Sequence, residues 1–214
     1  MNNSVVQAFG NQFLNAFGIQ LPRIVEHVPT EVLTISGEKH IVEDLFRLED
    51  DTLLHMEYQA SKNPEDLNQL FVDLMWYHLK IYEKYEKPAS TIVVFGPAIE
   101  KAEVSRDIGG IKYEVAGVVW LSRWNGDQIA EEFTRKVGQK GVLTDEELSV
   151  LAMMPFMHTT GSRLEIATKA VQIANKLDDS GERDLVIRLM KVMAGRLLLT
   201  SEDYEQVVQA LAKA

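Results

Sequence analysis

Apolar residues recur at helical spacing near the start of the chain, at Val5, Val6, Phe9, Phe13, Leu14 and Phe17, which predicts a helix over 4–18. Asn3 or Ser4 would cap it and Gly18 would end it. Pro22 and Pro29 bracket a connecting stretch, and Glu31–Ile35 alternates weakly as a first strand with Ser36-Gly37 as its turn. Val42, Asp44, Phe46 and Leu48 then alternate before the acidic turn Glu49-Asp50-Asp51, and Leu53, His55, Glu57 and Gln59 alternate after it, the pattern of a β-hairpin. Asn63-Pro64-Glu65-Asp66 opens a second helix, which carries Leu67, Leu70, Phe71, Leu74, Tyr77, His78, Ile81, Tyr82 and Tyr85 and stops at Lys87-Pro88. Aromatic residues beside Leu and Ile at this spacing, Trp76 and Tyr82 included, are expected in the core rather than on a base-stacking surface. Thr91–Phe95 is a short apolar run, as in a strand buried on both faces. Gly109-Gly110 is a turn, and Ile111–Leu121 has the composition of one longer strand. After Asn125-Gly126 the pattern is helical throughout, over 127–137, from the capping box Thr144–Glu147, and near 162–177, 182–198 and 201–213. The pattern by itself gives a mixed α and β chain.

The hairpin carries the candidate chemistry. An even-numbered loop centred on Asp50-Asp51 would set Asp44 directly across from Glu57, on one face, with Cβ atoms about 5 Å apart. Like charges so placed destabilise a sheet and call for a cation or a shared proton. Two carboxylates on neighbouring strands, with Gln59 one pleat further on, suit a divalent metal. His55 falls on the Glu57 face, where it could assist proton transfer, although a structural role is the commoner one for a strand histidine. His27, His40, His78 and His158 show no metal-type spacing, which argues against zinc. Met153, Met154 and Met157 are most simply core packing or a partner-facing helix. No phosphate-binding glycine loop and no nucleophile elbow is present.

Asp44, the hairpin turn and then Glu57-Tyr58-Gln59 resemble the PD-(D/E)XK nuclease signature, in the variant with Gln at the Lys position. The surrounding text, His55-Met-Glu-Tyr-Gln-Ala-Ser61, the helix ending Tyr77-His-Leu-Lys-Ile-Tyr-Glu-Lys-Tyr85, and Pro88-Ala-Ser-Thr-Ile-Val-Val-Phe95, is similar to the bacterial Rpn family of recombination-promoting nucleases and transposase-related proteins. The resemblance covers about residues 28–124. It implies an α/β fold with a restriction-endonuclease-like αβββαβ core over 1–124 and an all-helical extension over 125–214. It also implies a metal-dependent endonuclease that hydrolyses DNA. Asp44, Glu57 and the Tyr58 backbone carbonyl would hold Mg2+ or Mn2+, and Gln59 would orient the water or a phosphate oxygen. Many such enzymes add an acid from the first helix. Residues 4–18 hold none, so either Glu26 or Glu31 substitutes or the position is vacant. Asp73 stands where related sequences place an Arg, one turn before Tyr77.

Composition narrows this picture. The 214 residues, 46% hydrophobic and 25% charged, suit an ordinary globular chain with a substantial core. No apolar run is long enough to span a bilayer, and the start of the sequence has no secretory pattern; with no Cys at all, a cytoplasmic protein is expected. The net charge of −10 weighs against avid DNA binding, which depends on Lys and Arg at the phosphates, unless a local basic surface exists. The charge, the missing first-helix acid and Asp73 favour a rival: a catalytically inactive interaction protein that keeps the fold. Restriction-type nucleases often act as dimers, and the helical third is where homodimer contacts are expected.

Overall fold

The computed structural model describes residues 3–29, 31–33, 39–41, 44–198 and 201–212, with side chains described over 9–29, 44–198 and 202–212. The fold is mixed α/β. The chain divides into two compact units, one formed by 1–94 with 101–119 and the other by 95–100 with 120–214.

In the first unit, helix α1 (Asn3–Ala16) ends where the sequence places its glycine. Gly18 has φ +72°, and the Ile19 amide reaches back to the Leu14 carbonyl at 2.8 Å, which closes the last turn. Strand β1 (Ile24–Val28) follows, and β2 (Glu31–Leu33) pairs with β3 (Lys39–Ile41) in a separate antiparallel hairpin. Strands β4 (Asp44–Leu48) and β5 (Leu53–Gln59) come next, then the long helix α2 (Pro64–Tyr85) and β6 (Ala89–Phe95). Strands β7 (Ser105–Asp107) and β8 (Lys112–Glu114) form a hairpin around Gly109-Gly110, both with positive φ as a tight primed turn requires. Strand β9 (Gly117–Trp120) completes a five-stranded sheet in the order β1-β4-β5-β6-β9.

Two expectations are corrected here. The first strand of the main sheet is Ile24–Val28, in the stretch read as a connector, while Glu31–Leu33 belongs to the small hairpin. Residues 34–38, with the expected Ser36-Gly37 turn, lie outside the described residues. The single strand expected over 111–121 is two strands in different sheets, parted at Val115-Ala116, where the Ala116 amide donates to the Thr91 carbonyl.

Helix α2 forms where its caps direct. The Asn63 side chain accepts from the Glu65 amide, Pro64 takes the first turn, and Glu86 ends the helix in the left-handed region. One face buries Leu70, Phe71, Leu74 and Ile81. Ile81 packs with Val28, Leu45 and Leu53 of the sheet, with Tyr77 and Tyr85 beside them. Each such burial contributes about 1.5–3 kcal/mol against the entropy of ordering the chain. Trp76, Leu79 and Tyr82 are about half exposed, so the core placement expected for Trp76 and Tyr82 is corrected. Thr91 through Phe95 of β6 are fully buried, as their unbroken apolar text predicts.

The second unit holds α3 (Gly126–Gly138), α4 (Asp145–Met153), α5 (Arg163–Ala174), α6 (Ser180–Leu197) and α7 (Ser201–Leu211). The capping box Thr144–Glu147 forms as predicted, and Ser162 with Glu165 makes a second one. Met153, Met154 and Met157 are core residues, without exposure. Among the described residues no helix is long and apolar enough to cross a membrane.

Candidate functional site

The geometry of the site follows from one turn. The Leu48 amide donates to the Thr52 carbonyl, and Asp51, with φ 66°, donates to the Leu48 carbonyl. Asp50 accepts from both the Thr52 amide and its hydroxyl. The loop is therefore the three residues Glu49-Asp50-Asp51, closed by a left-handed Asp rather than by an even-numbered turn. That parity shifts the register by one. Asp44 lies across from Met56, Leu45 from His55, Phe46 from Leu54 and Arg47 from Leu53. Because side chains alternate at a period of two, a slip of one residue moves every partner to the other face.

Asp44 and Glu57 consequently point to opposite faces of the sheet, and the carboxylate pair expected across β4 and β5 is not formed. Asp44 lies on the α1 face. It is buried, accepts from the Tyr58 hydroxyl at 3.1 Å, and has His27 Nε2 3.7 Å from its other oxygen. His27 in turn meets the Phe46 ring edge-on. Close approach of α1 to this face is set by Gly10, where a Cβ would fall 2.7 Å from Ile24 Cδ1. No spacing in the sequence singles out His27 as the neighbour of Asp44, because the pairing of β1 with β4 that brings it there is a long-range contact.

Glu57 lies on the α2 face with His55, as their two-residue spacing predicts. The His55 ring is fully buried, and its Nε2 is 3.1 Å from Glu57 Oε2. The two are close but not aligned as a hydrogen bond, and among the described residues that buried oxygen has no hydrogen-bond partner, nor does either His55 nitrogen. Tyr77 of α2 meets the His55 ring edge-on. His78, one residue further along α2, packs edge-on against Tyr113, and its buried Nδ1 has no partner among the described residues. The Tyr113 hydroxyl donates to Thr91 Oγ1 at 2.7 Å. Burial raises the Tyr113 hydroxyl above the usual phenol range, and the charge of Glu57 adds to this against the Thr91 hydrogen bond. Burial, with His55 nearby, holds the His78 imidazole below its ordinary value.

His78 and Tyr113 are thus parts of the Glu57 environment that the motif text does not contain. Only the inward helical phase of His78, four residues after Leu74, pointed toward it. A pH dependence follows. The folded protein binds a proton at His78 less readily than the unfolded chain, so stability should fall as pH drops below about 6.5. Urea unfolding from neutral to mildly acidic pH should show that fall, and His78→Leu should flatten it; an unchanged slope in the variant would rule His78 out as its source.

The remaining candidates are placed as follows. Gln59 is held at the strand end by its side-chain amide, which donates to the Ser61 carbonyl at 2.8 Å. Glu26 pairs with Arg47, and Asp73 accepts from Gln69 within α2. Glu31 pairs through its backbone with Ile41, while its side chain lies outside the described residues. Among the described residues, no group of three or more His, Asp or Glu side chains is arranged to hold a metal ion. Comparisons with family models, curated proteins and solved structures found no match.

Proposed function

We propose that the chain is a metal-dependent nuclease acting on DNA phosphodiester bonds, and that it works from the α2 face of β5. The observation that carries this reading is the Glu57 carboxylate. It is largely buried beside a buried imidazole, with one oxygen that has no hydrogen-bond donor among the described residues. Leaving a buried polar atom unpaired costs about 1–3 kcal/mol, and such groups call for an explanation in an absent ion or in catalysis.

A hard cation fits that oxygen. Mg2+ is commonly held by one or two carboxylates and completes its shell with water and substrate phosphate oxygens. Glu57 would supply the carboxylate; bound there, Mg2+ or Mn2+ would polarise the phosphoryl group and acidify the attacking water. His55 lies one pleat away with its Nε2 3.1 Å from the carboxylate, and Gln59, on the same face, offers a neutral amide to a water or phosphate oxygen. The resemblance to recombination-promoting nucleases adds the biological setting of the reading.

One observation favours a second reading, a non-catalytic interaction protein. Asp44, the other half of the motif, is turned to the α1 face and occupied by Tyr58 and His27. Cleavage of supercoiled plasmid with Mg2+ or Mn2+ separates the two. A nuclease nicks in a manner abolished by chelation and by Glu57→Ala. No cleavage, or equal cleavage by the wild type and the variant, leaves the non-catalytic protein.

A further inference from the structure

The chain carries ten more negative than positive charges, yet helix α6 runs the other way. Arg183, Arg188, Lys191 and Arg196 stand against only Glu182 and Asp184, a surplus of two positive charges within one helix. Three of these cations, Arg183, Arg188 and Lys191, line an open cavity of about 320 Å³ together with Asp184, Ile187 and Asn175, the residue that caps α5. Arg188 and Lys191 are exposed, and among the described residues neither is held in an ion pair. Arg183 has only a loose approach to Asp184, at 3.7 Å. Ile187 is buried and floors the groove.

We infer that this groove on α6 binds the phosphodiester backbone of a nucleic-acid strand. The inference rests on the DNA-directed reading above and supplies the basic surface that reading lacks. The cations are strung along the helix rather than converging on a point: Arg183 and Lys191 are separated by about 12 Å of helix rise. That spacing suits successive phosphates of a strand better than one isolated phosphate group. A membrane surface is disfavoured, because membrane-bound helices present exposed apolar side chains beside their cations, whereas Ile187 is buried and Asp184 interrupts the cationic row. Asn175 offers both a donor and an acceptor to the sugar-phosphate chain.

Binding is tested apart from cleavage, by fluorescence anisotropy of a labelled duplex of about 20 base pairs, with metal chelated throughout. Wild-type protein should bind with an affinity that falls steeply between about 50 and about 200 mM KCl. Arg188→Glu with Lys191→Glu should weaken binding at low salt by about tenfold or more and flatten the salt slope by about two. Arg188→Lys with Lys191→Arg should restore both. A wild type that binds through α6 yet fails to nick plasmid with Mg2+ or Mn2+, or nicks it no more than Glu57→Ala does, sinks the catalytic reading alone. Unchanged affinity and slope in the double Glu variant, with its thermal unfolding also unchanged, overturns the groove as the binding site. Absence of wild-type binding overturns it too, as does equal competition by inorganic phosphate or preference for phosphatidylglycerol vesicles.

Discussion

Phe71→Ala is expected to lower the unfolding free energy by about 3–5 kcal/mol, the range for truncating a fully buried aromatic. Phe71 is almost wholly buried on the inward face of α2. Its ring meets Tyr113 of β8 edge-on, and the guanidinium of Arg106 from β7 lies 5.0 Å above it. Arg106 also donates to the Asn68 carbonyl of α2. The ring therefore joins three elements: α2, the β7–β8 hairpin and, through Tyr113, Thr91 of β6. Truncation leaves a cavity that a strand on one side and a long helix on the other can only partly close, so the upper half of the range is expected. Loss of the ring also removes a cation–π contact of about 0.5–1 kcal/mol and frees the hairpin. Urea unfolding should show the drop, while Phe71→Leu should lose no more than about half as much. Hydrogen exchange should show β7–β8 amides losing protection before those of β4–β5. An alanine variant within about 1 kcal/mol of wild type would mean that α2 does not pack through this residue.

The helices were legible because their ends carry local chemistry. Asn63-Pro64 and Thr144–Glu147 each satisfy orphan amides within a few residues, so the sequence text and the structure agree there. Strand β6 was legible from its unbroken apolar run. Strand β1 was not: Ile24-Val-Glu-His-Val28 sits between two prolines, and its pairing with β4 is a long-range contact that no local pattern reports. The break at Val115-Ala116 escaped for a related reason, since strand-forming composition continues through it while the chain changes sheets. The hairpin shows how little sequence separates two outcomes. Glu49-Asp50-Asp51 is compatible with either loop parity, because Asp tolerates the left-handed region that Asp51 adopts. One residue of parity decided whether two carboxylates share a face. The His55–Glu57 side of the site survived because a spacing of two within one strand does not depend on register.

Glu57→Met should move activity and stability in opposite directions. If the Glu57 carboxylate holds the metal, its loss should reduce metal-dependent cleavage by about a hundredfold or more, the scale for removing one electrostatic stabiliser of a transition state. Stability should rise by about 1 kcal/mol, because a buried oxygen without a donor is replaced by a thioether that carries no such penalty and fits by adjusting its rotamer. Opposing this is loss of the contact with His55, whose Nε2 lies 3.1 Å from Glu57 Oε2 but is not aligned as a hydrogen bond. Burying a carboxylate costs most where it is not hydrogen-bonded, and a misaligned contact offsets little of that cost, so removal of the carboxylate wins. On the nuclease reading, addition of Mn2+ should stabilise the wild type and leave Glu57→Met unmoved, since only the carboxylate-bearing protein would bind the ion in its folded state. Denaturant midpoints with and without Mn2+ read the stability and metal effects independently of turnover. A clear destabilisation of Glu57→Met, with no response of the wild type to metal, would make Glu57 a structural partner of His55. The face beneath α2 would then be a polar seam in an interaction protein, and Asp44 with Tyr58 and His27 would be its counterpart beneath α1.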